Sequence, residues 1–172
     1  MKNKKRVYEV LTCVTGLPKN IIQLHGLENM PEFLLHTMCQ KTCFNLQKAA
    51  YFVDNPDFNF FKGVAGYYHP ESYQQDHWND PEIFTHHMKN APFNKKVRDI
   101  QHESIKKNNQ SEQQLVDHLS KELHFSAPHY LSWPVKYNNF GLLLFDSSDE
   151  DQESIEEHLH AGLHLLGFCP VF

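Results

Sequence analysis

The chain has 172 residues, which fits one domain under the usual range of about 100 to 200 residues per domain. Hydrophobic residues make up 40% and charged residues 22%, as in folded globular proteins, and this composition argues against wholesale disorder. The formal net charge of -5 gives no general attraction to phosphate backbones or acidic lipid surfaces. We therefore expect neither nucleic acid nor a membrane as a partner.

The basic start of the chain, residues 1–6, precedes a segment with Tyr and Glu where a signal peptide needs an apolar region, so we expect a frayed terminus. The longest apolar run, FGLLLF at residues 140–145, is far shorter than the roughly 20 residues that cross a bilayer. Four cysteines are too few for a disulfide scaffold in a chain of this length. These features predict a soluble protein with reduced thiols and a cytoplasmic location.

The first predicted elements are a strand pair and a helix. β-Branched and apolar residues dominate RVYEVLTCVTG (6–16) and NIIQLHG (20–26), which flank the turn sequence GLPKN and predict a hairpin. A helix is then predicted from about Met30 to Cys43, with Asn29 as its N-cap and Pro31 in its first turn.

Two further strand pairs surround a helical region. KAAYFVDNP (48–56) and FNFFKGVAGYY (58–68) form the second predicted pair around a turn rich in Asp and Pro. A helical insertion is expected at about 81–124, where Pro81 follows a capping Asp80 and Ser111 opens a capping box. HYLSWPVKY (129–137) and NNFGLLLFD (138–146) form the third pair.

The final segment predicts an amphipathic helix. Ser148 and Asp151 form a capping box before it, and an acidic first turn suits the helix dipole. At about 100° per residue, His160 falls on the side opposite the apolar stripe. That stripe consists of Ile155, Leu159, Leu163 and Leu166.

This order of elements predicts the α+β class: residues 7–172 form a single domain, with a mainly antiparallel sheet built from three strand pairs and helices packed on it. The order, and the ending NNFGLLLFDSSDEDQESIEEHLHAGLHLLGF (138–168), resemble the GAF family of sensor domains. The resemblance implies a small ligand held between the sheet and the helices, and a role in sensing rather than catalysis.

The loop after the second strand pair, YYHPESYQQDHWND, is the predicted ligand-binding region. Small-molecule pockets combine aromatic side chains with a few convergent polar groups, and binding groups often lie on loops. The candidate ligand-binding residues are Tyr67, His69, Glu71, Tyr73, His77 and Trp78. The alternative is that these aromatic rings cover the edge of the hairpin and the histidines are solvated.

Thirteen histidines make this a histidine-rich chain and raise the question of a metal site. His36, Cys39 and Cys43 share one face of the predicted helix, so their side chains can meet a single zinc ion. A structural zinc needs a fourth ligand, and the candidates are Cys13, His25 and Cys169. Free cysteine is also among the most buried residue types, and we favour the interpretation that the two thiols fill the core.

The sequence contains no nucleophile elbow of the form Gly-x-Ser-x-Gly and no zinc-protease helix motif, so whether the protein is an enzyme stays open. The leading hypothesis is a small-molecule-binding sensor or regulatory domain whose ligand is unknown. One alternative is a zinc-type metal-binding protein, or a metal-dependent enzyme, that uses the Cys/His site. The other is an interaction domain that forms homo-oligomers through its sheet edge or its last helix.

Overall fold

The structure is a computed structural model that describes residues 2–147 and 152–169, and the side chains of residues 4–147 and 156–169. The elements in chain order are α1 (Lys2–Gln23), α2 (Met30–Cys39), β1 (Leu46–Asn55), β2 (Phe60–Tyr68), α3 (Pro81–Asn90), α4 (Pro92–Arg98), β3 (Gln101–His102), α5 (Glu112–Glu122), β4 (His129–Pro134), β5 (Phe140–Ser147) and α6 (Gln152–Leu163). Short 3₁₀ helices follow β2 and α6.

The strands form one antiparallel sheet in the order β3-β2-β1-β5-β4. The α+β class and the second and third strand pairs are therefore confirmed. β1 lies at the centre, where β2 and β5 both pair with it along most of its length. The predicted helical insertion contains α3, α4 and α5, but it also supplies the short edge strand β3, which pairs with β2.

Both faces of the sheet are covered. Successive side chains of a strand point to opposite faces, and β1 is buried on both. Tyr51 belongs to the hydrophobic cluster that includes side chains of α1, α2, α3 and α6, whereas Phe52 belongs to the cluster with α4 and α5. None of the helices in the described ranges is both long and apolar enough to cross a membrane.

The first predicted strand pair is wrong, because residues 2–23 form the single helix α1. The apolar side chains recur at helical spacing and pack on the core, and this burial outweighs the strand preference of the β-branched residues. The stripe consists of Val10, Cys13, Val14, Leu17 and Ile21. Pro18, which we interpreted as a turn residue, lies within the helix and removes only one backbone hydrogen bond. Residues 2–6, expected to be frayed, form the first turns of α1.

α2 begins at Met30 as predicted but ends at Cys39. Gln40 takes an extended conformation, and the N–H of Phe44 donates to the carbonyl of Met38 at 2.9 Å, which closes the helix end. Cys43 therefore lies in a turn beyond the helix. At the other end, Asn29 makes no side-chain cap bond.

The predicted packing of the last helix is confirmed where the side chains are described. Leu159, Leu163 and Leu166 are buried, and His160 is exposed. The helix ends at Leu163, and a 3₁₀ helix continues to Phe168. The side chain of Ile155 and the predicted capping box of Ser148 and Asp151 lie outside the described residues.

Two glycines of β2 allow α4 to lie directly on the sheet. A Cβ atom at Gly63 would stand 1.8 Å from the carbonyl oxygen of Val97, and one at Gly66 would stand 2.8 Å from the Val97 side chain. The N–H of Gly66 instead donates to Asn94 Oδ1 at 2.8 Å. This contact fixes the start of the loop that follows β2.

Candidate functional site

An open cavity of about 690 Å³ lies between α1, α2 and the end of the loop that follows β2. α1 contributes one face, α2 and the turn after it contribute a second, and residues 75–78 form the third. The residues around it are Tyr8, Glu9, Thr12, Cys13, Gly16, Leu17, Asn20, Thr37, Gln40, Thr42, Gln75, Asp76, His77 and Trp78. We refer to it as the α1–α2 cavity.

Thr37 on α2 holds the loop side of this cavity in place. Its hydroxyl oxygen accepts a hydrogen bond from Trp78 Nε1 at 3.0 Å and lies 2.8 Å from His77 Nε2. The same hydroxyl donates to the carbonyl of Phe33 at 3.0 Å. One threonine side chain thus fixes both an indole and an imidazole at the cavity.

This network determines the tautomer of His77. The single hydroxyl proton of Thr37 is used toward Phe33, so His77 Nε2 must carry a proton and donate it to Thr37 and to the Phe33 carbonyl, 3.2 Å away. Burial lowers the pKa of His77 to about 4, although its bond to Phe33 and the nearby Asp76 oppose this shift. The ring is neutral at pH 7, and its buried Nδ1 is a hydrogen-bond acceptor without a partner among the described residues.

His36 is a second buried, neutral imidazole beneath the loop. Its Nε2 accepts a hydrogen bond from the backbone N–H of Tyr73 at 3.0 Å, and its ring centroid lies 4.7 Å from that of His77. Burial lowers the pKa of His36 to about 3, and His77 and His87 add to the effect. Phe84 packs against both imidazole rings. This aromatic cluster supports the loop from inside.

The described residues around the α1–α2 cavity include two carboxylates, Glu9 and Asp76, and no lysine or arginine. Glu9 has Lys5 and Arg6 at 4.0 and 3.8 Å along α1. The two carboxylate oxygens of Asp76 accept hydrogen bonds from the backbone N–H of Trp78 and from the Asn79 side chain. The cavity is therefore negative or neutral in character rather than positive.

Cys13 brings a thiol to the same cavity. The neighbouring Cys43 thiol lowers the pKa of Cys13, burial opposes this shift, and Arg6 assists it. The pKa of Cys43 is raised in turn, mainly by burial. Cys13 is also the more exposed thiol of the pair, since Cys43 is buried.

Of the six predicted ligand-binding residues, His77 and Trp78 border the α1–α2 cavity. The other four are engaged elsewhere in the loop. Tyr67 and His69 contact each other at 3.3 Å, Glu71 accepts a hydrogen bond from the N–H of Phe93, and Tyr73 binds His36 through its backbone. The bonds of Glu71 and Tyr73 hold the loop against the start of α4 and against α2.

The predicted site lacks the α1 side of the cavity, because the sequence predicts strands where the structure has α1. Tyr8, Thr12 and Gly16 are four residues apart and share one helical face. The apolar recurrence from Val10 to Ile21 was the signal that could have revealed the helix, and with it this polar face.

The structure does not assemble His36, Cys39 and Cys43 into a metal site. The helix ends between the two cysteines, and both thiols are buried in the core cluster, as in the interpretation we favoured. His36 Nε2 is occupied by the Tyr73 N–H. A different group has its ligand atoms close enough for one ion. Among the described residues, a nitrogen of His102, a nitrogen of His118 and a carboxylate oxygen of Glu122 all lie within 4.8 Å of one another.

No family model, curated protein or solved structure matches this chain. The resemblance to GAF domains and the predicted oligomerisation accordingly stay predictions.

Proposed function

We propose that the protein is a small-molecule-binding domain with a sensing or regulatory role, and that its ligand occupies the α1–α2 cavity. The observation that carries this proposal is the cavity itself. Its volume of about 690 Å³ lies within the usual range for small-molecule sites, about 300 to 1,000 Å³. Such sites combine apolar walls with a few positioned polar groups, and Trp78 and His77 are positioned in this way by Thr37.

The charges around the cavity favour a neutral or cationic ligand. Phosphate and carboxylate ligands are normally bound by arginine, lysine or backbone N–H groups, and the described cavity residues include neither arginine nor lysine. Asp76 instead offers a negative charge, and Trp78 and Tyr8 offer aromatic rings, which attract cations through their faces.

Cys13 provides a direct test, because a disulfide-forming fragment that binds in the cavity will be captured by its thiol. We expect fragments with amine or neutral head groups to label Cys13 at least tenfold more than matched fragments with carboxylate head groups, measured by intact-protein mass spectrometry under reversible exchange. Cys13→Ser identifies the labelled position.

A variant that fills the cavity provides the control. A Cβ atom at Gly16 meets nothing within 4 Å, so Gly16→Phe can place a ring in the cavity without a clash at the backbone. We expect this change to abolish selective labelling, whereas Thr15→Phe, at an exposed neighbouring position, should preserve it. Equal labelling by all three head groups, or labelling that is insensitive to Gly16→Phe, would contradict the proposal.

A further inference from the structure

Three side chains of types that can bind a metal ion come together at the β3 edge of the sheet. His102 belongs to the edge strand β3, where it pairs with Phe61 of β2 and its ring lies 6.2 Å from the Phe61 ring. His118 and Glu122 lie one turn apart on α5. All three are exposed and therefore accessible to an ion from solution.

The distances between these groups suit a single metal ion. Zn–N and Zn–O bonds of about 2.0 to 2.2 Å at tetrahedral angles separate neighbouring ligand atoms by about 3.4 Å. His118 Nε2 and Glu122 Oε2 are 3.5 Å apart, and the three ligand atoms all lie within 4.8 Å of one another. A small side-chain rotation of His102, whose ring centroid is 6.1 Å from that of His118, would complete the set.

A cavity adjoins this group. His102 and His118 both border a space of about 380 Å³, together with Glu103, Ser111 and Gln114. A bound ion would therefore have its remaining coordination position next to solvent and to these polar groups. Two histidines and one carboxylate with an open position are the ligand set of many catalytic zinc sites and of non-haem iron sites.

We propose that His102, His118 and Glu122 bind one divalent transition-metal ion, with the fourth position open to water or to an oxygen-donor ligand in the adjoining cavity. Neutral imidazoles and a carboxylate suit zinc, nickel and cobalt ions, whereas calcium and magnesium prefer an all-oxygen set. The site is separate from the α1–α2 cavity and from the four cysteines, so it does not depend on the function proposed above.

The test uses the untagged full chain, treated with a chelator and dialysed, and titrated with NiCl₂ at pH 7.5 by isothermal titration calorimetry. We expect one ion per chain and at least a tenfold loss of affinity in each of the variants His102→Ala and Glu122→Gln. With CoCl₂, the visible absorption spectrum should show coordination by nitrogen and oxygen without a thiolate charge-transfer band. Because all three side chains are exposed, circular dichroism should show that the variants stay folded.

The matched control is a second pair of exposed histidines, His160 near the end of α6 and His164 at the start of the 3₁₀ helix that follows, whose rings are 5.4 Å apart. The double variant His160→Ala, His164→Ala should bind nickel as the unaltered protein does. Absence of binding in the unaltered protein, full binding by His102→Ala, or loss of binding in the control would each overturn the proposal.

Discussion

Acid should destabilise this protein because two imidazoles are buried in their neutral form. The pKa of His36 is lowered from 6.5 to about 3 and that of His77 to about 4, in both cases mainly by burial. In the unfolded chain both rings take up a proton near pH 6.5. The unfolded state therefore binds more protons between pH 6.5 and about 4, and stability falls as pH is lowered through that range.

The magnitude follows from the size of the shift. For each histidine that stays neutral in the folded state, every pH unit below the unfolded pKa lowers the free energy of unfolding by about 1.4 kcal/mol. At pH 4.5 the free energy of unfolding should therefore be lower than at pH 7.5 by about 2.7 kcal/mol for each ring, and by about 5 kcal/mol for the pair. That is comparable with the whole stability of a typical domain, about 5 to 15 kcal/mol.

The assay is urea unfolding, followed by circular dichroism at intervals between pH 7.5 and 4.5. Carboxylates also titrate at the acidic end, so the informative quantity is the difference between the unaltered protein and His36→Gln, in which the amide oxygen can still accept the Tyr73 N–H. As pH falls, the free energy of unfolding of the variant should decrease less steeply than that of the unaltered protein, and the two slopes should differ by about 1.4 kcal/mol per pH unit. His25→Gln, at an exposed position, should retain the original slope. Parallel pH profiles for His36→Gln and the unaltered protein would refute the reasoning.

Three further predictions concern packing, the thiols and the loop. Gly16→Ala should raise the free energy of unfolding by about 0.5 to 1 kcal/mol, because Gly16 lies within a helix and a Cβ atom there meets nothing within 4 Å. Gly63→Ala should lower the free energy of unfolding by about 2 to 3 kcal/mol, because its Cβ atom would overlap the Val97 carbonyl. Equal effects in thermal unfolding would contradict this contrast. Cys39→Ala should cost on the order of 1 kcal/mol and leave the metal content unchanged by elemental analysis, and a stoichiometric zinc ion that disappears in this variant would restore the Cys/His site. A fragment captured on Cys13 should slow hydrogen exchange in residues 67–80, and unchanged exchange there would place the ligand elsewhere.

Local patterns in the sequence were sufficient for much of the scaffold. Apolar and aromatic residues on either side of a turn predicted β1 with β2 and β4 with β5, because the two strands of each pair are neighbours in the sequence and are joined directly. The burial of Leu159, Leu163 and Leu166 followed from helical periodicity alone. α1 was missed because its β-branched residues and its Gly-Leu-Pro sequence favour a strand and a turn locally, whereas packing on the core decides for a helix.

The sites depended on long-range contacts that no spacing in the sequence reveals. His77 was chosen from its loop, but only the fold places it beside Thr37 and opposite the Gly16 face of α1. His102 and His118 come together because β3 pairs with β2 at the sheet edge, and this pairing is set by backbone hydrogen bonds rather than by either histidine. Periodicity along one segment determines which side of that segment is buried, but which other segment meets it is decided by the packing of the whole chain.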